Sequence, residues 1–569
     1  MKTSIFKIMA AGLLTLSVAS CGDDFLDVSS KTESQRDNSY RTMNDAQYAL
    51  IGCYDGWQRT VSNGPTFSFQ YLSEILSDDC YGGTGNSDAR NTQLIDHMSM
   101  NEASSELNLF NDLWGYYYAA IYRCNEFLQH MDGIDWTDEA TRNTYEGETR
   151  AIRALCYFDL VRMFENVPLL TRPSEDNVPQ AAPDSVYHQI IEDFKFAANN
   201  IPEDAYPKAN AEQNDGHITC YAAKALLARV YLFYSGVYGK EPKDLTKAEV
   251  LQGLEDIIES KQYSLVRHFK DLWKPASTSF EGDDTRGYTE VSTYAGDGNS
   301  ETILAMKFNY TSDYNGNGGG NNTIVMFGLR GGIFKAPYGQ GWGGCTVNRQ
   351  FYNLFTSGDT RRDASIINVA SEGLTSIDAF NSALSDQREY TGFYIKKYTP
   401  MSAYVQAEDG SWSLTHYYSG LMAGDFQISQ PQNYVIMRYA DVLLMAAELG
   451  SPNAQSYFNQ VRERAFTTDD DELSTSYTQK TATLANIMDE RHKEFAFEGI
   501  RYWDLRRQDT TAATLANAIV SSGGTVESGG VEETVTYNAE NITSKRGFLQ
   551  IPLTQIQLSN NVLVQNAGW

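Results

Sequence analysis

Segments whose apolar residues recur with helical spacing follow one another up to about residue 262, and they return near the C-terminus. The clearest runs from Tyr145 to Phe164 and stops before Pro168, because proline disfavours helix at the preceding residue. A loose Ala-Leu-x-x-aromatic pattern favours helix pairs of tetratricopeptide (TPR) type, although the period is irregular. We therefore predict a mainly α fold with a TPR-like, α-solenoid body. Further helices are predicted over Cys220 to about Tyr234, Tyr439 to Leu449, Ala454 to about Phe466 and Ala485 to Phe497.

The stretch from about 273 to 432 has a different character. It is rich in Gly, Asn, Tyr and Ser, with short alternating segments such as Thr302 to Tyr310 and Thr391 to Tyr398. Long connections without regular structure are uncommon unless they are functional. We expect an irregular, loop-rich subdomain with short strands here, and we expect it to contribute to a binding surface.

The N-terminus has the features of an export signal. Lys2 and Lys7 precede an apolar run from Ile8 to Val18, which is too short to span a bilayer and fits a secretory signal. The residues Val18-Ala19-Ser20-Cys21 resemble the lipobox of bacterial lipoproteins, in which the cysteine is acylated. Several acyl chains hold a protein to a membrane far better than one. We therefore predict lipidation at Cys21.

These observations divide the chain into five parts. We predict a signal peptide over residues 1–20, a lipidated tether over 21–40 and a helical region over 41–272. The irregular subdomain follows over 273–432, and a C-terminal helical region over 433–569 packs on the body.

Composition and motifs limit the possible functions. The formal charge of -28, from 73 acidic against 45 basic residues, repels phosphodiester backbones and disfavours nucleic acid as a partner. The cysteines show no zinc-site spacing, and Cys124, Cys156 and Cys220 are expected to be buried as small apolar residues. We find no HExxH, Walker lysine or GxSxG motif, and we predict no enzyme activity, metal or cofactor. A glycosidase needs only two carboxylates, however, and the sequence leaves that possibility open.

Aromatic residues are abundant, with 36 Tyr, 26 Phe and 8 Trp. Sugars present C–H faces that pack against flat rings, and their hydroxyls need hydrogen-bonding groups around the rim. A concave site with a few placed polar groups meets both needs. The tyrosines in Gly/Asn/Asp/Ser-rich segments are the candidates for such rings: Tyr81, Tyr288, Tyr294, Tyr310 and Tyr314.

Several blocks in order along the chain resemble the SusD/RagB family, the surface glycan-binding lipoproteins that sit on SusC-type TonB-dependent transporters. The resemblance implies a body of TPR-like helix pairs packed against an irregular subdomain. It also implies that Arg501 and Trp503 are scaffold residues. The blocks are Cys21 to Asp27, Glu148 to Phe164 with Val167-Pro168-Leu169, Ala222 to Leu232, Arg438 to Glu448, Glu490 to Arg507, and Ile551 to Trp569.

By this resemblance the ligand site gathers the loop from Asp78 to Arg90 and residues of about 284 to 345. We expect a platform of Tyr81, Tyr288, Tyr310 and Tyr314, with Tyr294 or Trp342 beside it. Asn86, Asp88 and Arg90 would hydrogen-bond to sugar hydroxyls.

The resemblance further implies a lipid-anchored protein on the outer face of the outer membrane, which captures oligo- or polysaccharide for a SusC-like transporter. The acidic charge favours a neutral glycan slightly. Two alternatives stay open at this point: a helical-repeat scaffold of the transporter complex that binds no glycan, and a surface glycoside hydrolase.

Overall fold

The computed structural model describes residues 40–62, 66–100, 103–174, 176–206, 216–309, 319–418, 426–428 and 430–569. The predicted signal peptide, the lipidation site Cys21, all but the last residue of the tether, and Tyr310 and Tyr314 lie outside these residues. Within them, no helix combines the length and apolar character needed to cross a membrane.

The first half of the chain is helical, as predicted. Neighbouring helices pack as antiparallel pairs: α1 against α4, α5 against α6, and α7 against α8. Small residues allow close approach, since a Cβ built on Gly56 of α1 would lie 3.1 Å from the Ala120 Cα of α4. The predicted mainly α, TPR-like body is therefore confirmed. The helices are α1 (Met43–Gln58), α2 (Phe69–Ile75), α3 (Asn91–Asp96), α4 (Asn111–His130), α5 (Glu139–Phe164), α6 (Pro183–Asn200), α7 (Cys220–Tyr238) and α8 (Lys247–Glu259).

Capping residues decide where the longest helices begin and end. The Asp138 side chain accepts a hydrogen bond from the Thr141 amide at 2.7 Å, so α5 starts six residues before the predicted Tyr145. Helix α7 begins where predicted, after the capping side chain of Thr219. It continues to Tyr238 and ends at Gly239, whose φ of 64° lies in the left-handed region that glycine adopts without strain.

Short strands occupy the middle of the chain and form only two-stranded sheets among the described residues. Two hairpins, β2–β3 and β10–β11, join strands that are neighbours in sequence. The antiparallel pairs β1–β7 and β4–β12 connect distant segments. Strands β8 and β9 are consecutive and antiparallel, and the consecutive strands β5 and β6 are parallel. The strands are β1 (Cys80–Gly83), β2 (Thr278–Asp283), β3 (Gly287–Ser292), β4 (Thr302–Met306), β5 (Leu329–Arg330), β6 (Gln340–Gly341), β7 (Gly344–Val347), β8 (Ile366–Asn368), β9 (Phe393–Ile395), β10 (Ser402–Gln406), β11 (Trp412–His416) and β12 (Tyr434–Arg438).

Short helices separate these strands, and longer ones return after them. A last hairpin, β13 (Gly524–Ser528) with β14 (Val531–Val535), follows α18. The remaining helices are α9 (Lys274–Ser277), α10 (Thr323–Phe327), α11 (Arg349–Tyr352), α12 (Arg361–Ser365), α13 (Asp378–Ala383), α14 (Tyr439–Glu448), α15 (Ala454–Ala465), α16 (Leu484–Glu494), α17 (Arg501–Arg506), α18 (Ala513–Ser522), α19 (Ala539–Thr543) and α20 (Leu553–Leu558). Single 3-10 turns occur as well, one of them over Phe269–Leu272.

One hydrophobic core runs from Ala46 to Leu563 and includes residues of both helical regions and of the irregular subdomain. The predicted scaffold residues are part of this body. Trp503 is buried and its indole N–H donates to the Ser73 hydroxyl, while Arg501 binds both carboxylate oxygens of Asp78 at 2.7 Å. The expected burial of Cys124, Cys156 and Cys220 is also confirmed.

A buried group of charged side chains connects β4 and β12 to helices α12, α15 and α16 through ion pairs. Its arginines and carboxylates pair at hydrogen-bonding distance, which compensates most of the cost of removing them from water. We call it the buried ion-pair group; it consists of Arg361, Arg438, Arg464, Glu301, Glu490, Glu494 and Glu498.

Candidate functional site

A cavity of about 250 Å³ lies beside the β4–β12 pair. It is lined by segments far apart in the chain: the residues entering α9, the loop after β3, the chain after β9 and β11, and both paired strands. We call it the aromatic cavity because its lining includes the rings of Trp273, Tyr294, Phe308, Tyr398 and Tyr418.

Two other grooves on the described surface are larger but chemically different. They measure about 400 and 530 Å³, and their described lining residues include no Tyr or Trp. A small-molecule site needs apolar, ring-bearing walls with a few convergent polar groups. The aromatic cavity fits this description better than either groove.

Unpaired hydrogen-bond donors line the cavity. The indole N–H of Trp273 is buried without an acceptor among the described residues. The Lys274 ammonium lies 4.5 Å from the ring centre of Tyr417 and 5.3 Å from that of Tyr418, and no described residue forms an ion pair or hydrogen bond with it. The Lys274 ammonium is half-buried and can donate to a ligand oxygen, whereas the Trp273 N–H has almost no accessible surface.

Two acidic residues near Lys274 partly offset its positive charge. Burial lowers the pKa of the Lys274 amine, and the nearby carboxylates of Glu290 and Asp297 partly offset that effect. Asp297 accepts a hydrogen bond from the Tyr294 hydroxyl. Burial, reinforced by this carboxylate, raises the pKa of Tyr294 well above its usual range, so the phenol stays protonated at neutral pH.

The closed end of the cavity is made of buried, already paired charges. Arg438 donates to Glu498 at 2.8 Å and to Glu494 at 2.6 Å, and the Lys397 ammonium donates to Glu498 at 2.7 Å. Burial lowers the pKa of Lys397 to about 8, while Glu498 acts in the opposite direction. These charges are satisfied by the protein, so they shape the cavity without requiring a charged ligand.

A stack of four half-buried rings joins the β2–β3 and β10–β11 hairpins. Tyr288 lies parallel to Tyr404, with ring centres 3.7 Å apart and planes 5° apart. Trp412 meets Tyr288 edge-on at 5.5 Å, and Phe280 meets Tyr404 edge-on at 5.7 Å. We call these four residues the hairpin stack.

The hairpin stack is connected to the aromatic cavity through Tyr417. Its hydroxyl donates to the Glu290 carboxylate of β3 at 3.0 Å, and the Lys274 ammonium of the cavity wall lies over its ring in a cation–π contact. The half-buried rings and the cavity therefore belong to one region of the surface.

The structure brings two of the predicted site residues to this region and places a third in the core. Tyr294 lines the aromatic cavity and Tyr288 belongs to the hairpin stack. Tyr81 is only 3% exposed, and its hydroxyl donates to the Ser522 carbonyl at 2.8 Å. A ring enclosed in this way cannot pack on a sugar, so the prediction for Tyr81 is wrong. Its segment is strand β1, paired with β7, rather than an open loop.

Other predicted residues form a separate surface around Arg330. Its guanidinium donates to Asp88 at 3.2 Å and to the Trp342 carbonyl at 3.4 Å, and it binds the Asp386 carboxylate at 2.7 Å. Asn86, Asp88 and Arg90 are exposed, and the Trp342 side chain is half-buried. We call Asn86, Asp88, Arg90 and Trp342 the loop cluster.

His492 contacts the loop that follows α2. Its side chain is almost enclosed, and its Nε2 atom lies within hydrogen-bonding distance of the Asp79 carboxylate. Asp78, Asp79 and His492 could in principle ligate a metal ion. Both oxygens of Asp78 are bound by Arg501, however, so this group is accounted for as a structural contact.

Two family descriptions together match most of the chain. The description "SusD family" matches residues 300–569, and "Starch-binding associating with outer membrane" matches residues 24–232. A SusD-like protein of Formosa agariphila is 24% identical over 531 residues, covering 88% of this chain and 90% of that protein. A SusD-like protein of Bacteroides ovatus is 24% identical over 423 residues, covering 69% of this chain and 64% of that protein.

Solved structures with the same fold include carbohydrate-binding proteins. A structure titled "Laminarin binding SusD-like protein" superimposes with a TM-score of 0.69 at 25% identity, covering 93% of this chain and all of that chain. A surface glycan-binding protein A of Bacteroides thetaiotaomicron, in complex with laminarihexaose, also gives a TM-score of 0.69. It is 23% identical, with 93% of this chain and 100% of that chain covered. At this level of identity the similarity shows that the two chains share a fold.

Proposed function

Because this chain is a SusD-like protein, we propose that it captures glycans at the cell surface and passes them to a SusC-like TonB-dependent transporter without reacting with them. The observation that carries the proposal is the pairing of a partly enclosed, ring-lined cavity with the half-buried hairpin stack. Rings offer flat faces to sugar C–H groups, and the polar wall offers partners for hydroxyls.

The residues proposed for glycan contact are those of this combined region, including Tyr288 and Tyr294 from the sequence prediction. Trp273, Lys274 and Tyr418 join them, although no local sequence pattern singled them out. The loop cluster of Asn86, Asp88, Arg90 and Trp342 is proposed as a second, weaker contact surface. Its polar side chains are exposed, and Arg330 bridges the Asp88 carboxylate and the Trp342 carbonyl.

A lipid anchor at Cys21 would hold the protein on the outer face of the outer membrane, beside its transporter. Anchoring beside the pore raises the effective concentration of captured glycan, so a weak, reversible site is sufficient. Binding without chemistry agrees with relatives that are named as glycan-binding proteins.

Affinity electrophoresis of the purified protein in gels containing laminarin, starch or xylan tests the proposal. The double variant Tyr294→Ala/Tyr418→Ala removes two cavity rings, each worth about 1 kcal/mol of ligand contact. The sum of about 2 kcal/mol corresponds to a roughly 30-fold loss of affinity. The matched control, Asn86→Ala/Trp342→Ala in the loop cluster, is expected to lose less than about threefold.

Three results would contradict parts of this proposal. Normal binding by the cavity variant together with loss by the loop-cluster variant would move the site to the loop cluster. Release of reducing ends from any of the three glycans would establish a hydrolase. Failure of the unmodified protein to bind any glycan, with retained association with the transporter, would favour the scaffold alternative.

A further inference from the structure

The aromatic cavity has room for one small group. Pockets that enclose a drug-sized ligand measure about 300–1,000 Å³. At about 250 Å³ the cavity falls below this range, which is too little for several linked sugar rings. Any longer glycan must therefore leave most of its residues outside.

The cavity is closed at its inner end. Tyr398, Lys397 and Arg438 form that end, and none is more than 2% exposed. The residues nearer the opening, Tyr294 and Lys274, are half-buried. An internal residue of a linear glycan continues in two directions, whereas a terminal residue or a single-residue branch continues in only one. A partly enclosed cavity with a buried inner end accommodates the second kind more easily.

The polar wall indicates a neutral sugar. A hydroxyl group both donates and accepts hydrogen bonds, and the wall offers a matching set. The Lys274 ammonium can donate, and the Asp297 carboxylate can accept. Charges on the inner end are paired with Glu494 and Glu498, and Lys274 faces the carboxylates of Glu290 and Asp297. The wall therefore sets one cation without a direct ion pair, Lys274, against two carboxylates, a balance that does not favour a sulfate or a uronate.

We infer that the aromatic cavity takes one neutral sugar residue at a chain end or side branch, while the hairpin stack supports the residues that follow it outside. The inference rests on the proposed function and specifies how that site would read a glycan. The number of binding positions on a polysaccharide would then follow its number of ends rather than its length.

Counting binding sites per gram of polysaccharide tests this directly. Laminarin, starch and xylan are each titrated calorimetrically with the unmodified protein, before and after mild acid hydrolysis that doubles the number of chain ends. For every polysaccharide bound, recognition of ends predicts about twice as many sites per gram after hydrolysis. An unchanged or smaller number would overturn the inference while leaving glycan binding intact. Binding to none of the three would overturn the proposed function as well.

Competition by free glucose or xylose, matched to the polysaccharide bound, gives a second readout. We expect the monosaccharide to compete with the unmodified protein's binding. Lys274→Met, which removes the ammonium that has no direct ion pair, is expected to weaken that competition about fivefold. Tyr404→Ala in the hairpin stack is the matched control: it should weaken polysaccharide binding and leave the inhibition constant of the monosaccharide unchanged. Equal loss of monosaccharide affinity in both variants, or no competition at all, would refute the assignment of the cavity.

Discussion

Replacing Glu494 by glutamine removes one negative charge from the buried ion-pair group while keeping the shape of the side chain. Glu494 is fully enclosed and accepts from Arg438 at 2.6 Å, from Arg361 at 3.2 Å and from Arg464. The variant therefore leaves three buried guanidinium groups with one carboxylate fewer between them.

Two estimates of the cost agree. Breaking a buried ion pair by neutralising one partner costs about 3–5 kcal/mol, because a charge is left uncompensated. Burial alone would raise the pKa of Glu494, but the charges of Arg464, Arg438 and Arg361 outweigh it and hold that pKa at about 2, against 4.5 for an ordinary glutamate. This difference corresponds to about 3 kcal/mol of stability at neutral pH.

The pH dependence follows from the direction of the shift. A carboxyl group whose pKa is depressed by folding contributes stability above its ordinary pKa of 4.5, and the contribution disappears as the pH falls towards 2. The difference between the unmodified protein and Glu494→Gln should therefore be full at pH 7 and shrink progressively below pH 4.5.

Urea unfolding followed by circular dichroism measures the difference in free energy of unfolding. The matched control is Glu463→Gln, the same change at an exposed glutamate of α15 that forms no ion pair with described residues, and it should stay within about 0.5 kcal/mol. A loss at Glu494 below 1 kcal/mol, or one that does not shrink at low pH, would show that this group does not stabilise the body in the way proposed.

Further perturbations test packing elsewhere. Gly236→Ala should destabilise the protein by at least about 2 kcal/mol, because its Cβ would lie 1.7 Å from the Arg507 carbonyl oxygen. In the same urea assay, Gly52→Ala should stabilise the protein by about 0.5 kcal/mol, because its Cβ would have no atom within 4 Å. Tyr81→Phe should cost about 1 kcal/mol of stability, because the hydrogen bond to a backbone carbonyl is lost, and it should leave glycan affinity unchanged. Weaker glycan binding by this variant would show that Tyr81 belongs to the site. The buried thiols should resist iodoacetamide at pH 8 until the protein is denatured, and mass spectrometry would detect any modification. Modification in the native state would contradict their burial. These thiols are Cys53, Cys80, Cys124, Cys156, Cys220 and Cys345.

Local sequence patterns predicted helices well, because apolar spacing and capping act over a few residues. Helix α14 begins at Tyr439 and α15 at Ala454, as expected. The errors lie at helix ends, where polar first turns or backbone reversals carry no apolar signal. Helix α16 was expected to continue to Phe497, for example, but it ends at Glu494, and Phe497 has a φ of 66°, outside the helical region.

The site was less accessible to sequence reasoning, because its parts meet only through tertiary packing. Composition pointed to the tyrosine-rich segments, and two of those residues, Tyr288 and Tyr294, do lie at the combined region. Nothing local distinguishes Tyr81, whose strand pairs with residues more than 260 positions away, from an exposed loop tyrosine. Trp273 and Tyr418 are adjacent to the cavity only because β4 and β12 bring distant segments together.

The β4–β12 pair has a consequence for how such a protein can diversify. Met306 lies opposite Tyr434, so the stretch between these residues begins and ends at one strand pair and is topologically an insertion, parts of which pack in the main core. Part of that insertion has a small apolar cluster of its own, built around Leu329, Tyr338 and Tyr394. Because the entropy of closing a loop grows only slowly with its length, segments around this small cluster, outside the main core, can lengthen, shorten or be exchanged at little cost to the helical body. Since Thr302 and Arg438 of the same pair line the aromatic cavity, such exchanges would rebuild its walls against a constant frame.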